Sequence, residues 1–156
     1  MLEIAIPGGE ILRLDHLVAD FNGTMACDGV LSPGAAAAIG RLAEKLAIHV
    51  VTADTFGRAK EALAGIPCEL AILPEGGQDV AKLRYVEDLG AGRCVCIGNG
   101  RNDRLMLAQA ALGIAVIHPE GASVETLLAA KVVVSDINAA LGLLLNPVRL
   151  IATLRS

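Results

Sequence analysis

HLVADFNGT, residues 16–24, and CVCIGNGRND, residues 94–103, are the two stretches that decide the fold of this chain. Each begins with an apolar run typical of a buried strand and ends in small and polar residues. Asp20 closes the first run, and Asn99 follows the second. The carboxyl ends of parallel strands form the ligand-binding edge of open α/β sheets. The two stretches therefore predict a parallel α/β fold with a polar site at that edge.

The composition agrees with this fold. The chain has 156 residues, of which 54% are hydrophobic but only 2% aromatic. Its hydrophobic residues are therefore mostly aliphatic, which is typical of helices packed on a parallel sheet. This length suits one domain with an ample core. We expect a single domain over 1–156, made of a β-hairpin extension over 1–15 and a core over 16–156.

Strand and helix patterns alternate along the core. They predict about five to six parallel strands with helices on both faces and right-handed crossovers. The amino-terminal hairpin, 2–14 around a Pro/Gly turn, is expected as a decoration at the edge of the fold. Predicted strands cover 16–20, 48–52, 70–73, 94–97, 113–117 and 132–134. Predicted helices cover 33–46 with Ser32 as its cap, 55–63, 78–89, 103–110, 122–129 and a tail from 136.

Charge and targeting signals limit the partners. The net charge is -4, which is not typical of proteins that bind nucleic acid or an anionic membrane surface, so we expect neither. The first residues lack a basic signal pattern, which favours the cytoplasm. Cys94 and Cys96 alternate along a strand and are expected to be buried, reduced and inert. His16, His49 and His118 have no repeated ligand spacing, which favours structural roles over metal binding.

Further polar residues fall at the ends of the predicted elements. Gly23 allows backbone N–H groups to approach an anion, and Thr24 adds a hydroxyl beside them. Thr52 ends the next strand along the chain, Lys82 lies in the helix before the second motif, and Asp103 begins the helix after it. Their shared chemistry is that of anion binding next to a carboxylate.

The chain resembles the haloacid dehalogenase-like (HAD-like) hydrolase superfamily, whose four motif residues it has in order: Asp20, Thr52, Lys82 and Asp103. The resemblance extends over about 20–134. Within the superfamily, 98–103, 111–116 and 129–134 look like the end of the P-type ATPase phosphorylation domain. The chain is most similar to the small soluble proteins described as P-type-ATPase-like.

This resemblance implies a HAD-like Rossmannoid fold and a role for each matching residue. Asp20 would be the nucleophile that carries an aspartyl-phosphate. Thr52 and Lys82 would bind the phosphoryl oxygens, together with the loop at Gly23 and Thr24. Mg²⁺ is the implied cofactor, because its charge neutralises those oxygens. Its implied ligands are Asp20, Asn22, Asn99 and Asp103.

Two amides depart from the family pattern. Asn22 stands where the hydrolases usually have the aspartate that acts as general acid and base. An amide cannot exchange a proton, so a rate factor of about 10² to 10⁴ should be largely lost. P-type ATPases also lack an acid there, so phosphoenzyme formation remains implied. Asn99 replaces a Mg²⁺-binding aspartate, which should weaken the affinity for the metal.

Some assignments near the site have alternatives. Lys82 is preferred to Lys60, which lies inside the helix after the second strand and far from the second motif. Asp54 and Thr55 are expected to cap that helix, although Asp54 is close enough to line the pocket. Arg101 either meets a substrate anion or is exposed to solvent.

No cap domain fits the sequence, because 25–32 is only a short flap and 53–81 holds a single βα unit. Capless members of the superfamily commonly oligomerise, so we expect a homo-oligomer. The leading function is a Mg²⁺-dependent phosphohydrolase or phosphotransferase that acts on a small phosphorylated substrate through phospho-Asp20. The alternative is a catalytically weakened protein that binds phosphate or a phospho-ligand as a sensor or assembly partner.

Overall fold

A six-stranded parallel sheet forms the centre of the computed structural model, which describes residues 1–54 and 57–156. Its strands are β3 His16–Asp20, β6 Ala47–Thr52, β7 Glu69–Ile72, β8 Cys94–Gly98, β9 Leu112–Val116 and β10 Val132–Val134. Its helices are α1 Ala35–Leu42, α2 Arg58–Ala62, α3 Gln78–Leu89, α4 Arg104–Gln109, α5 Val124–Ala129, α6 Ile137–Leu145 and α7 Pro147–Leu154. The strand order is β10-β9-β8-β3-β6-β7, and every neighbouring pair is parallel. The predicted α/β architecture is confirmed.

Alternating side chains along the central strands face two separate apolar layers. Leu17 and Ala19 of β3 join one buried cluster, whereas Val18 between them joins the other. α1, α2, α6 and α7 contribute to the first cluster, and α3, α4 and α5 to the second. Cys94 and Cys96 are fully buried in the second cluster, as predicted. The helices therefore cover both faces, and only the strand ends remain for a site.

The amino-terminal hairpin is part of the core. β1 Leu2–Ala5 and β2 Ile11–Leu14 pair in antiparallel fashion, as predicted. The expectation that this hairpin only decorates the edge was wrong, because one of its faces is buried in the first cluster. The buried side chains are Leu2, Ile4, Leu12 and Leu14. Their period of two in each strand puts one apolar face against the main core.

A second small hairpin follows the first motif. β4 Ala26–Cys27 and β5 Val30–Leu31 pair in antiparallel fashion around Asp28 and Gly29. This hairpin is the flap expected from the sequence, although its strands were not predicted. In the described parts of the chain, no further domain folds over the sheet edge, which agrees with a capless fold.

Helix starts differ from the predicted ones where local caps were misassigned. α1 begins at Ala35, because Gly34 precedes it with a φ of +87° and no side chain caps the helix. Ser32 is therefore not the cap, and its Oγ lies 3.4 Å from Nε2 of His118. Asp54 does help to start α2, since its Oδ1 accepts a hydrogen bond from the backbone N–H of Ala59 at 2.9 Å. The predicted capping role of Thr55 lies outside the described residues.

No single helix in the described ranges has both the length and the hydropathy to cross a membrane. α6 and α7 meet those criteria only as a pair, and the chain bends by 98° between them.

His49 links β3, β6 and α3 through its ring. Its Nε2 lies 3.1 Å from Nδ1 of His16, and its Nδ1 lies 2.9 Å from the hydroxyl of Tyr85. These contacts confirm a structural role for His16 and His49. Burial lowers the pKa of His49 from its usual 6.5, and the neighbouring His16 lowers it further against the opposite effect of Glu69.

This lowered pKa predicts a loss of stability in acid. Below pH 6.5 the unfolded chain takes up a proton at His49 before the folded chain does, so protonation favours unfolding. We expect the free energy of unfolding to fall as the pH drops through this range, and to fall less in His49→Gln. Urea denaturation of both proteins across the range measures the difference. Equal pH dependence in the two proteins would contradict the assignment.

Candidate active site

The carboxyl ends of three adjacent strands form a polar cleft. β3 lies between β6 and β8, so the first motif, Thr52 and the second motif meet at one edge. The cleft has a volume of about 310 Å³. Its lining residues are Asp20, Asn22, Gly23, Thr52, Ala53, Gln78, Asn99, Gly100, Asn102 and Glu120. The structure thus brings the two sequence motifs together where the fold predicts a ligand.

Lys82 is the cation at the base of this cleft. Its Nζ donates to Oδ1 of Asp20 at 2.8 Å and to Oδ1 of Asp103 at 2.7 Å. The lysine and Asp103 are fully buried, and Asp20 is 6% exposed. Lys60, the alternative, is exposed on α2. The predicted choice of Lys82 therefore agrees with the contacts, and an ammonium group retains one further proton to donate.

Burial and neighbouring charges shift the pKa values of Asp20 and Lys82. Burial and the nearby Asp103 carboxylate raise the pKa of Asp20 to about 7, against the lowering effect of Lys82. Burial lowers the pKa of Lys82, but the two carboxylates outweigh it, so the net shift is upward and the ammonium stays charged. Perturbed carboxyl groups in a cleft are typical of functional sites.

Both carboxylate oxygens of Asp103 accept hydrogen bonds. Its Oδ2 accepts hydrogen bonds from the backbone N–H groups of Asn99 at 3.0 Å and Gly100 at 2.9 Å. A Cβ on Gly98 would lie 2.5 Å from the Asp103 carboxylate carbon, so only glycine permits this close approach. The metal-binding role of Asp103 stays a prediction, because its Oδ1 accepts a single hydrogen bond and has a further lone pair. The same contacts hold Lys82 and the second motif in place.

Asn99 is tied to the loops on both sides of it. Its Oδ1 accepts a hydrogen bond from Thr24 Oγ1 at 3.1 Å, and its Nδ2 donates to the carbonyl of Gly121 at 2.9 Å. Gly23 passes directly beside this amide, where an added Cβ would lie 2.6 Å from Nδ2. Thr24 is fully buried and engaged with Asn99. Its hydroxyl therefore holds the loop against Asn99, and the contact of Gly23 and Thr24 with phosphate stays a prediction.

Asn22 and Thr52 face the cleft in different ways. Thr52 is 2% exposed, and its Oγ1 accepts a hydrogen bond from the N–H of Asp54 at 3.1 Å. This contact leaves the hydroxyl proton of Thr52 available for a ligand. Asn22 is exposed and lines the cleft without a hydrogen bond that would fix its amide in the described part of the chain. The position of the missing acid is thus open to substrate.

Comparisons with known proteins agree with this geometry. No protein-family model matches the chain. An uncharacterized protein of Methanocaldococcus jannaschii is 49% identical over 84 residues, which are 51% of this chain and 90% of that protein. The 3-deoxy-D-manno-octulosonate 8-phosphate phosphatase of Moraxella catarrhalis, solved with magnesium, phosphate and its sugar, is 15% identical and superposes with a TM-score of 0.70. That superposition covers 91% of this chain and 94% of the phosphatase. This chain belongs to the family of the archaeal protein, and its fold is HAD-like.

A third similarity is to a CPx-ATPase. The catalytic domain of the CPx-ATPase CopB-B is 25% identical, with a TM-score of 0.61. The match covers 75% of this chain but only 46% of that domain. The fold of this chain is therefore shared with a phosphatase and with a CPx-ATPase catalytic domain.

The HAD-like fold implies a magnesium ion, and the oxygens of the cleft allow one. The second carboxylate oxygen of Asp20 is not bonded to Lys82, and Asn99 Oδ1 holds only one hydrogen bond. Together with the backbone carbonyl of Asn22, these are oxygen donors of the type that Mg²⁺ prefers. These donors include only one carboxylate, and Mg²⁺ affinity depends on carboxylate charge. The residues therefore fit a weakly bound Mg²⁺, whose binding a phosphate would strengthen.

Two cleft residues were missed from the sequence. Gln78 opens α3 four residues before Lys82, on the same helix face, and it accepts a hydrogen bond from Asn102 at 2.8 Å. That spacing was a usable signal. Glu120 reaches the cleft from the turn after β9. It lies three residues after the predicted strand 113–117, so its nearness to a strand end was a usable signal.

The arginines of the second motif are held by acids outside the cleft. Arg101 is exposed and pairs with Glu125 at 3.1 Å. Arg104 pairs with Asp79 at 2.9 Å. Of the two interpretations of Arg101, exposure to solvent is the one the structure supports.

Proposed function

We propose that this chain is a Mg²⁺-dependent phosphohydrolase or phosphotransferase that forms an aspartyl-phosphate on Asp20 with a small phosphorylated substrate. The observation that carries the proposal is the buried contact of Lys82 with both Asp20 and Asp103 at the strand edge. Burying a lysine between two carboxylates has a desolvation cost, which only close contacts with both partners can offset. Here it places a positive charge next to a strand-end nucleophile in an open cleft.

The chemistry follows from these positions. A carboxylate oxygen of Asp20 attacks phosphorus, and the bond from phosphorus to the leaving-group oxygen breaks. Lys82 and the Thr52 hydroxyl donate to the phosphoryl oxygens, which reduces the repulsion between Asp20 and an anionic substrate. Mg²⁺, when bound, supplies further positive charge for those oxygens. Water then attacks phosphorus, which releases phosphate and restores the Asp20 carboxylate.

Asn22 sets the rate of this cycle. Its amide cannot give a proton to the leaving group or take one from water. Substrates whose leaving group needs no proton, such as acetyl phosphate, are therefore favoured over alkyl phosphates. Because hydrolysis of the acyl phosphate lacks a base as well, we expect the phosphoenzyme to persist long enough to detect.

Mass spectrometry after incubation with acetyl phosphate and Mg²⁺ tests the proposal. We expect one phosphoryl group on the peptide that contains Asp20, together with hydrolysis of acetyl phosphate and para-nitrophenyl phosphate. Asp20→Asn should show neither, whereas Asp88→Asn, at an exposed position on α3, should behave as the wild type. An unmodified Asp20 peptide with turnover equal in all three proteins would refute the mechanism.

The alternative is a phospho-ligand-binding protein without turnover. It is favoured by Asn99, whose amide is committed to Thr24 and Gly121 and provides no negative charge for a metal. Calorimetric binding of inorganic phosphate, with background rates in the phosphatase assay and no modified peptide, would support this function over the first.

The soluble P-type-ATPase-like assignment is part of the same proposal, supported by the 25% identity to a CPx-ATPase domain. A homo-oligomer also stays a prediction. Exposed apolar side chains offer area for it: Val30, Ile72, Ile117, Val124, Leu128 and Val148. The cytoplasmic location stays a prediction as well.

A further inference from the structure

Three side chains of metal-ligand type meet beside the cleft. Cys27 ends β4 in the flap hairpin, and His118 and Glu120 lie in the turn after β9. The Cys27 sulfur, a ring nitrogen of His118 and a carboxylate oxygen of Glu120 all lie within 4.8 Å of one another. Donor atoms on one tetrahedral Zn²⁺, with bonds of about 2.0 to 2.3 Å, lie roughly 3 to 4 Å apart, which is inside this limit.

His118 supplies an independent sign that a ligand is missing. The residue is 7% exposed, and its Nδ1 is buried without a hydrogen-bond partner. Among the described residues it is the one buried side-chain nitrogen or oxygen in that state. Its other nitrogen, Nε2, lies 3.4 Å from the Ser32 hydroxyl. A buried polar atom without a partner is unfavourable. The unpaired nitrogen of His118 therefore favours a bound ligand at this position.

The type of donor selects the type of metal. A thiolate and an imidazole with one carboxylate suit Zn²⁺ and its neighbours, whereas Mg²⁺ and Ca²⁺ prefer oxygen alone. Metal binding would displace the thiol proton of Cys27.

A cleft beside the cluster reaches one of its three residues, Glu120. This cleft of about 340 Å³ runs along the hairpin and the turn, lined by Asn22, Asp28, Gly29, Arg58 and Glu120. Three protein ligands leave a fourth position for water, the arrangement typical of zinc sites that are not purely structural.

We propose that Cys27, His118 and Glu120 bind one Zn²⁺ ion, which joins the flap hairpin to the turn after β9. The turn also carries Gly121, whose carbonyl holds Asn99, and Glu120 itself lines the cleft. The hairpin begins two residues after Thr24, on the opposite side of Asn99. The ion would thus fix the two loops that flank the candidate active site. This site is separate from the Mg²⁺ position and does not depend on the proposed phosphoryl transfer.

Cobalt titration of the metal-free protein tests the site. Co²⁺ in place of Zn²⁺ should give a thiolate-to-cobalt charge-transfer band that saturates at one ion per chain, and added Zn²⁺ should abolish it. We expect Cys27→Ser and His118→Gln to lose the band. Cys68→Ser should keep it, because Cys68 is a half-exposed thiol outside the cluster. Asp20→Asn should also keep it, which separates this site from the catalytic cleft.

A second measurement needs no variant. In the wild-type chain, Zn²⁺ should slow iodoacetamide labelling of Cys27 at least tenfold and leave labelling of Cys68 unchanged, as read by peptide mapping. The absence of a charge-transfer band together with equal labelling of Cys27 with and without Zn²⁺ would overturn the proposal. So would a band that survives in Cys27→Ser.

Discussion

Lys82→Met will lower the free energy of unfolding by about 3 to 5 kcal/mol, the cost of leaving buried carboxylates without their cation. Methionine keeps most of the side-chain volume, so the loss reports on charge and hydrogen bonds more than on a cavity. Both Asp20 and Asp103 bond to Nζ in the wild type. The variant should also fail to form the phosphoenzyme, because nothing then offsets the repulsion between Asp20 and the substrate.

Urea denaturation of Lys82→Met and of Lys60→Met gives the comparison. Lys60 is exposed on α2, where such a change usually costs less than about 0.5 kcal/mol. Similar losses in the two variants would mean that the contact of Lys82 with the two aspartates contributes little to stability. Phosphoenzyme formation by a folded Lys82→Met protein would remove Lys82 from the proposed mechanism.

Asn22→Asp will raise the turnover of alkyl phosphates by up to about 10² to 10⁴, the usual contribution of a general acid and base. The exposed side chain of Asn22 lines the cleft beside Asp20, so an acid there can reach a leaving group. Acetyl phosphate should gain less in the first step, since its leaving group needs no proton. The phosphoenzyme should also become shorter lived, because water gains a base.

Steady-state kcat/KM for an alkyl phosphate and for acetyl phosphate measures this selectivity. Asn102→Asp is the matched control, because it adds the same charge to the same cleft at a residue bonded to Gln78. Equal gains in both variants would show an effect of charge alone. No gain in Asn22→Asp would favour the phospho-ligand-binding alternative.

The sheet was predictable because its strands are apolar on both faces. The side chains of 17–19 and 94–97 lie in both buried clusters. Strands that are apolar on both faces are typical of the centre of a parallel sheet. α3 was predicted at its observed bounds, Gln78–Leu89. Strand and helix ends elsewhere shift by a few residues, as for α1, where Gly34 delays the helix that Ser32 was expected to cap.

The site was predictable to the extent that it is made of residues at strand ends. Asp20, Thr52 and Asn99 come together because neighbouring strands end at one edge. The role of each side chain was not predictable, because it depends on which donor and acceptor atoms form hydrogen bonds in the folded chain. Asp103 is predicted to bind a metal, but its hydrogen bonds with Lys82 and with two backbone N–H groups could not be predicted from the sequence. The cluster of Cys27, His118 and Glu120 joins distant segments, and no local pattern signals it.

The two amides of the site differ in how readily evolution or an engineer could reverse them. Asn22 is exposed and its amide makes no hydrogen bond within the described residues, so an aspartate there breaks none. Asn99 donates through Nδ2 to the carbonyl of Gly121, and an aspartate would set two oxygens against each other at that point. A return to the ordinary hydrolase pattern can therefore start at 22 at once, whereas position 99 becomes accessible only after the turn that carries Gly121 has moved.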